Sequence, residues 1–538
     1  MTARRVSRSA LVLLGLVVAA GAFTRIFQFS QQVLLDDEWH AIHQLSSGKT
    51  PAQLFLSIGH ADYSIPLGLL YWLEGRWFGL SELGMRWPML LAGLATLVLL
   101  PAWAWRRYSP RVALIFAGLL ATSPLLLIYS QTARPYALTL LLSLVGIYGF
   151  DRYRKTPVSA RSWAAVYVLC FALCAWLHVI TVPLMCAPLV QEAARKMAGR
   201  TAASWRQLAW AGLPAAVLAA ALVGPPLLAE PEGLALKAGQ ASVGIDTVLG
   251  ALHAWLGTPS LLCVIVLAAL CGLGAPKLLI GNRVAQSALM GIVLTALAIV
   301  LLRPASVNHS LTFGRYLLVA TPVLLLAASL GAGRLLSAAG ARKWLTALGL
   351  VAFGLYFLAQ SPLRQLLAVP NSHVTHSRYQ FDFRPGHNHV ARYQRETLAA
   401  SPFWEQLAAL PPDTVHVGVA PFYFETYHWD GPRWEQTSRQ RVWPAFMTGF
   451  CVERRFGDVP DDGRFTFRNA WWLSRLNGTG PAPDWLVFTR PIPRFAGTPE
   501  GNDMKQVFKR CTERLLNTLG QPEYEDDVLL AWKRRPGD

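Results

Sequence analysis

Residues 111–150 read RVALIFAGLLATSPLLLIYSQTARPYALTLLLSLVGIYGF: two apolar runs, 111–130 and 134–150, joined by a polar turn from Tyr129 to Tyr136. Each run is close to the ~17–25 residues with which a helix crosses a bilayer. Beyond the leading Arg111, the one charged side chain is Arg134, and it falls in the turn. The stretch therefore predicts a helical hairpin across a membrane with its polar turn at one surface. Further runs of spanning length occur near 9–27, 84–105, 208–229, 251–275, 284–302, 313–332 and 344–361. The stretch 163–194 is too long for one span, and His178 near its middle predicts two short helices meeting at the outer surface. The expected architecture is mainly α, a polytopic membrane protein of about eleven spans.

Composition agrees. Of 538 residues, 53% are hydrophobic and 15% charged, and the mean hydropathy is +0.33, too apolar for a soluble globular protein. The formal charge of +18 suggests a nucleic-acid partner only until it is mapped. Residues 362–538 nearly balance, with 22 Lys/Arg against 20 Asp/Glu, so the excess lies in 1–361. With the N-terminus cytoplasmic, 19 basic residues fall in inner loops, including Arg106, Arg107, Arg154, Lys155, Arg195 and Arg283. Eight fall outside: Arg25, Lys49, Arg76, Arg86, Arg134, Lys237, Arg303 and Arg315. This is the positive-inside pattern, and Asp151 and Glu192 are the only inner acidic residues. The charge is topology, and no nucleic-acid partner is expected. The run at 9–27 lacks a small-residue cleavage site and reads as a retained span.

The segment 65–80 contains Glu74 and Arg76 between two outer loops and suits a helix lying at the interface. An odd number of spans places residues 362–538 outside, in the periplasm or its equivalent. Two domains follow: a membrane domain, 1–361, and an extracytoplasmic α/β domain, 362–538. In the latter, Thr414–Val419 and Trp485–Thr489 read as strands, and 395–410 and 503–518 as helices. Five of the seven cysteines lie in apolar runs as small hydrophobes, while Cys451 and Cys511 lie in the tail, where an oxidising compartment permits a disulfide.

Four polar clusters lie near the outer surface. Asp36-Asp37-Glu38-Trp39-His40 follows the first span, and carboxylates so close to hydrocarbon are costly unless they face a polar cavity; the alternative is a solvated loop with an N-cap. His60-Ala61-Asp62-Tyr63-Ser64-Ile65-Pro66 opens the interfacial helix, and His60 with Asp62 suits a metal, a sugar hydroxyl or a local turn. In the third cluster, 129–136, Arg134 suits an anionic head group such as phosphate or a membrane anchor. The fourth, 309–316, carries Arg315 and Tyr316. His178 reads as a hydrogen-bonded structural residue. No metal-ligand spacing stands out, so no metal or other cofactor is assigned.

In order, these clusters resemble the bacterial relatives of protein O-mannosyltransferases and lipid A aminoarabinose transferases, which have the GT-C membrane fold. The matching elements, over about residues 30–335, are Asp37-Glu38, the segment from His60 to Pro66, and Gly79-Leu-Ser-Glu-Leu-Gly-Met-Arg86-Trp-Pro. Tyr129-Ser-Gln-Thr-Ala-Arg134-Pro-Tyr136-Ala-Leu is similar to the family's YSQEARPYAL run, and Arg315-Tyr316-Leu-Leu through Pro322 to its RYL…P motif. Thr132 stands where that run has Glu, and Ile65 where a second Pro is common.

The resemblance implies a polyprenyl-phosphate-linked sugar donor and an acceptor hydroxyl on a protein, lipid or cell-envelope glycan at the outer membrane face. It implies Asp37 as general base, with Glu38 orienting Asp37 or the acceptor. Arg134 and Arg315 would stabilise the leaving phosphate, with Tyr136 and Tyr316 beside them, and His60 and Asp62 would line the sugar site. The competing class is a transporter or flippase for a lipid-linked glycan, which predicts inverted repeats or midplane ionisable groups; the sequence displays neither. A scaffold recruiting partners through its tail leaves the outer Asp, His and Arg clusters without a purpose. A polymerase or ligase using lipid-linked oligosaccharide is not separated from monosaccharide transfer.

Overall fold

The computed structural model describes residues 8–27, 29, 38, 50–58, 64–78, 82–155, 160–201, 203–232, 238–368, 401–420, 434, 437–444, 451, 483–491, 496–497 and 499–534. The membrane part is built from α1 (Arg8–Ile26), α2 (Pro51–Phe55), α3 (Ile65–Trp77), α4 (Glu82–Arg107), α5 (Pro110–Ala121), α6 (Pro124–Ser130), α7 (Tyr136–Lys155), α8 (Ala160–Leu177) and α9 (Val182–Met197). It continues with α10 (Trp205–Ala229), α11 (Ile245–Leu256), α12 (Leu261–Leu279), α13 (Arg283–Leu302), α14 (Ser310–Tyr316), α15 (Ala320–Ala338), α16 (Lys343–Gln360) and α17 (Leu363–Ala368).

Among the described residues seven helices are long and apolar enough to cross a membrane: α1, α4, α10, α12, α13, α15 and α16. The pair α5–α6, bent by 62°, is an eighth. Helices α7, α8 and α9, at three further expected spans, are not among them; α7 ends in Asp151, Arg152, Arg154 and Lys155, which shortens its apolar part, and α8 is a shorter apolar helix. As expected, α8 and α9 meet at a break, where His178 precedes a 3-10 turn at Val179–Thr181.

Three spans depart from their expected form. The run 251–275 is two helices, because Gly257, at φ +76, takes the left-handed conformation that ends α11, and Ser260 caps α12 anew. The run 313–332 is broken after Tyr316, so Arg315 sits on short α14 and α15 starts at Ala320. The run 111–130 bends because Ser123 caps a new helix at Pro124, and proline donates no N–H to continue the old one. The bend releases buried carbonyls, which are costly if left unmet. Arg25, on α1, donates to the Leu120 oxygen at 3.0 Å and the Ala121 oxygen at 3.5 Å.

Helices α12 and α15 cross at near backbone contact. A Cβ on Gly274 would lie 1.9 Å from the Ala327 oxygen, and one on Gly331 2.0 Å from the Leu270 oxygen. Small residues allow such an approach, and it is how helices gain dispersion energy in lipid.

The tail holds α18 (Pro402–Ala408), β1 (His416–Ala420), β2 (Arg441–Pro444), β3 (Trp485–Thr489), α19 (Pro499–Leu519), β4 (Tyr524–Glu525) and β5 (Leu529–Lys533). The five strands form one sheet in the order β2-β1-β3-β5-β4. Strands β2, β1 and β3 are parallel, and β5 is antiparallel to β3 and β4. Val507, Cys511 and Leu515 of α19 cover one face, and Phe403, Trp404 and Leu407 of α18 the other. Burial on both faces explains why β1 and β3 read as continuous apolar runs. Cys451 and Cys511 are joined by a disulfide, Cα–Cα 5.2 Å.

Candidate active site

Glu38 is fully buried. Its two carboxylate oxygens accept from Nε and Nη2 of Arg86, each at 2.9 Å, and Arg86 is equally buried at the start of α4. The Ala133 backbone N–H also donates to Glu38 Oε1, at 2.6 Å. A planar guanidinium and a carboxylate meet best in this two-point form. One carboxylate thus ties the segment after α1 to α4 and to the polar turn, one peptide before Arg134.

The turn is folded largely on itself. Ser130 Oγ donates to the Leu126 oxygen at 2.6 Å, Thr132 Oγ1 to the Ile128 oxygen at 2.8 Å, and Gln131 Nε2 to the Arg25 oxygen at 2.9 Å. Arg25 therefore supports both the bend of α5–α6 and the turn beyond it. Thr132 turns its hydroxyl to backbone.

Arg134, Tyr136, Arg315 and Tyr316, separated by 180 residues of chain, come together in a buried cluster. The guanidinium carbon of Arg315 lies 5.3 Å from the Tyr136 ring centre and that of Arg134 6.0 Å from it, within cation–π range. Arg315 is also 5.6 Å from the Tyr316 ring. His178 lies between the tyrosines, its ring centre 5.5 Å from Tyr136 and 5.2 Å from Tyr316. Two guanidiniums beside one ring, away from bulk water, make a local field suited to an anion.

Helix α14 is held from below by α11. The Trp255 indole N–H donates to the Gly314 oxygen at 3.0 Å, one residue before Arg315, and Thr247 Oγ1 donates to the Asn308 oxygen at 2.6 Å. Beside the cluster opens a cavity of about 660 Å³, walled by apolar side chains including Ile58, Ile65, Val223, Pro226, Leu302 and Pro304, with His178 and Tyr316 among its lining. On α3, Glu74 is half-buried; burial pushes its carboxyl above the usual range, opposed by the hydrogen bond from Trp87.

Asp37, His60 and Asp62 lie outside the described residues, as do Asp36 and His40. Among the described residues no group of three or more His, Cys, Asp or Glu side chains is placed to hold a metal ion. From sequence alone Arg86 is an outer charge within a motif, Arg25 an outer charge, and His178 a structural residue. An arginine set within or beside an apolar run was the available signal for the first two. Nothing in the sequence linked His178 to Tyr136 and Tyr316.

No protein-family model and no curated protein matches the chain. Its fold matches the crystal structure of ArnT from Cupriavidus metallidurans. With the apo form the TM-score is 0.50 at 14% identity, covering 97% of this chain and 98% of that one. The form bound to undecaprenyl phosphate gives 0.50 and 14%, covering 98% of each. The apo oligosaccharyltransferase of Archaeoglobus fulgidus gives 0.45 and 11%, covering 89% of this chain and 69% of that. The chain thus has the GT-C polytopic membrane fold, with a small α/β tail, that the motif pattern implied.

Proposed function

We propose that the protein is a membrane glycosyltransferase that moves a monosaccharide from a polyprenyl-phosphate donor to an acceptor hydroxyl on a protein, lipid or envelope glycan. The observation that carries this reading is the joining of two environments: an apolar cavity large enough for part of a lipid tail and, at its His178 and Tyr316 wall, a buried cluster with two arginines. A ligand with a long apolar tail and an anionic head fits both. The undecaprenyl phosphate bound to the ArnT that shares this fold is a ligand of that kind.

In the reaction an acceptor oxygen attacks the anomeric carbon. The bond from that carbon to the phosphate oxygen breaks, its electron pair stays on the phosphate, and the acceptor proton passes to a carboxylate. Asp37 is assigned that carboxylate, since a general base must lie within hydrogen-bond reach of the hydroxyl. Its neighbour Glu38, already engaged by Arg86 and Ala133, is assigned to position Asp37 and the turn rather than to take the proton. Arg134 and Arg315 meet the charge that builds on the phosphate, the kind of stabilisation that lowers a barrier most. Tyr136 and Tyr316 hold the arginines, and His60 and Asp62 are assigned to the sugar.

The disulfide Cys451–Cys511 supports an oxidising, extracytoplasmic side for the tail, in the periplasm of a bacterial inner membrane with the N-terminus cytoplasmic. The sheet domain, taken as 362–538 beside a membrane domain of 1–361, is assigned to the same outer face as the site.

The test is incubation of the protein in native lipids with radiolabelled polyprenyl-phosphate sugars and envelope acceptors, with Asp37→Asn alongside. Loss of label from the lipid with wild type and not with the variant supports the reading and names the sugar. Labelled lipid that crosses the bilayer intact in both would replace it with a flippase.

A further inference from the structure

We infer that His178 is a donor-binding residue whose ring N–H contacts the leaving phosphate, and that it makes the site selective for a phosphorylated lipid over an uncharged one. The inference rests on the proposed function and adds a residue to it.

Three observations carry it. The first is position: His178 lines the apolar cavity, and its ring is in contact with both Tyr136 and Tyr316. Arg315 lies against both of those tyrosines. A lipid whose tail fills the cavity meets His178 where the wall turns from hydrocarbon to cations. The second is chemistry. The cavity wall is otherwise almost wholly apolar, its other polar side chains being Tyr316 and Trp176, and the Trp176 indole N–H has no hydrogen-bond partner among the described residues. Imidazole carries an N–H donor in either tautomer, so it can serve a phosphate oxygen without titrating.

The third is backbone. His178 interrupts what would be one long helix: it takes an extended conformation, φ −163 and ψ 104, before the 3-10 turn. Its oxygen accepts from the N–H of Thr181 at 3.0 Å and the hydroxyl of Thr181 at 2.8 Å. A break inside an apolar stretch is tolerated where it is satisfied locally or lines a cavity, and here it does both.

During transfer His178 keeps its proton. It donates a hydrogen bond to an oxygen whose negative charge grows as the bond to the anomeric carbon breaks, and Asp37 receives the acceptor proton.

The test measures binding of a polyprenyl phosphate and of the matching polyprenol to full-length protein in nanodiscs, for wild type, His178→Phe and His178→Gln, with melting temperature recorded for each. Phe keeps the ring contacts and removes the donor; Gln restores a donor. The expected result is an affinity for the phosphate about tenfold weaker in His178→Phe, the scale of one hydrogen bond to a charged group, with polyprenol binding unchanged and part of the loss recovered in His178→Gln. Unchanged phosphate affinity in His178→Phe, or equal weakening for both lipids, overturns the inference and leaves the proposed function standing. A wild type that does not prefer the phosphate to the alcohol overturns both.

Discussion

The two ends of the helical bundle arrange their charges differently. At the end away from the cavity, the two carboxylates that sequence reading placed inside are matched with cations. Asp151 accepts from Arg154 at 2.7 Å and also pairs with Lys155. Glu192 accepts from Arg283 at 2.9 Å and from the Thr201 hydroxyl, with Arg154 at 3.9 Å. At the cavity end Arg134 and Arg315 lie against the rings of Tyr136 and Tyr316, while the Glu38–Arg86 pair lies behind the turn and shapes it. The Glu192 ion pairs at the far end join helices; the two guanidiniums beside one aromatic ring concentrate positive potential at the other.

The comparison breaks if the two sets of arginines respond alike to substitution. Arg315→Ala is expected to lower turnover of the lipid-linked donor by about 10²–10³, the scale of removing one preorganised donor from a developing anion. Arg315→Lys should recover only part, because a point charge does not reproduce the planar fork. Initial rates in proteoliposomes, with protein folded as judged by size exclusion, check this. Glu192→Ala is expected to cost about 3 kcal/mol of stability by leaving Arg283 and Arg154 without their buried partner. It should leave turnover per folded molecule unchanged. A thermal melt and a rate on the same preparation separate the two, and a Glu192→Ala protein that melts normally but turns over slowly would end the distinction.

How far the sequence foretold this depends on what each feature requires. Apolar length locates the helices, so even the awkward stretch 163–194 divides at His178 as expected. Where helices end is decided by a few atoms: Gly257 adopting a positive φ split one expected span, and Ser123 before Pro124 bent another. Arg134 and Arg315 were legible as outer arginines because lipid makes such residues expensive. Their convergence on Tyr136 was not legible, since it depends on α14 being propped by Trp255 rather than on any local pattern. The strands β1 and β3 were legible as apolar runs, whereas the partner strands β2 and β4 are too short to announce themselves.

Arg25 sharpens the comparison from between the ends. It stands close to the site, yet its guanidinium donates to the Gly21, Leu120 and Ala121 oxygens and so does a structural task. Arg25→Leu is expected to destabilise by about 2 kcal/mol, the cost of leaving buried carbonyls unmet. It should also lower turnover several-fold, because α6 then no longer holds the turn beneath Arg134. Arg25→Lys, which keeps a cation but not the fork that reaches three carbonyls, should fall between. A melting curve with donor-binding affinity for the three proteins tests the order, and intact stability in Arg25→Leu would show that the bend needs no such support.

The smallest effect belongs to the tail, at the partly buried Asp526. Asp526 caps the turn before β5. Burial by itself pushes its carboxyl up, but hydrogen bonds from the Ser401 hydroxyl, the N–H groups of Val528 and Leu529, and the Tyr524 hydroxyl together hold it below the usual range. A carboxylate whose pKa is lower folded than unfolded stabilises the fold above the unfolded value, about 3.9. That stabilisation is lost as pH falls through the lower folded value. Hydrogen-exchange protection at 524–533 in the full-length protein, corrected for intrinsic rates, is therefore expected to be flat from neutral pH to about 4 and to decline below it. In Asp526→Asn, which does not titrate, protection should start lower and the acid decline should be shallower. An equally steep decline in the variant would assign the acid sensitivity to other groups. It would also place Asp526 among surface charges that contribute little, unlike Asp151 and Glu192, which are buried at the far end of the bundle.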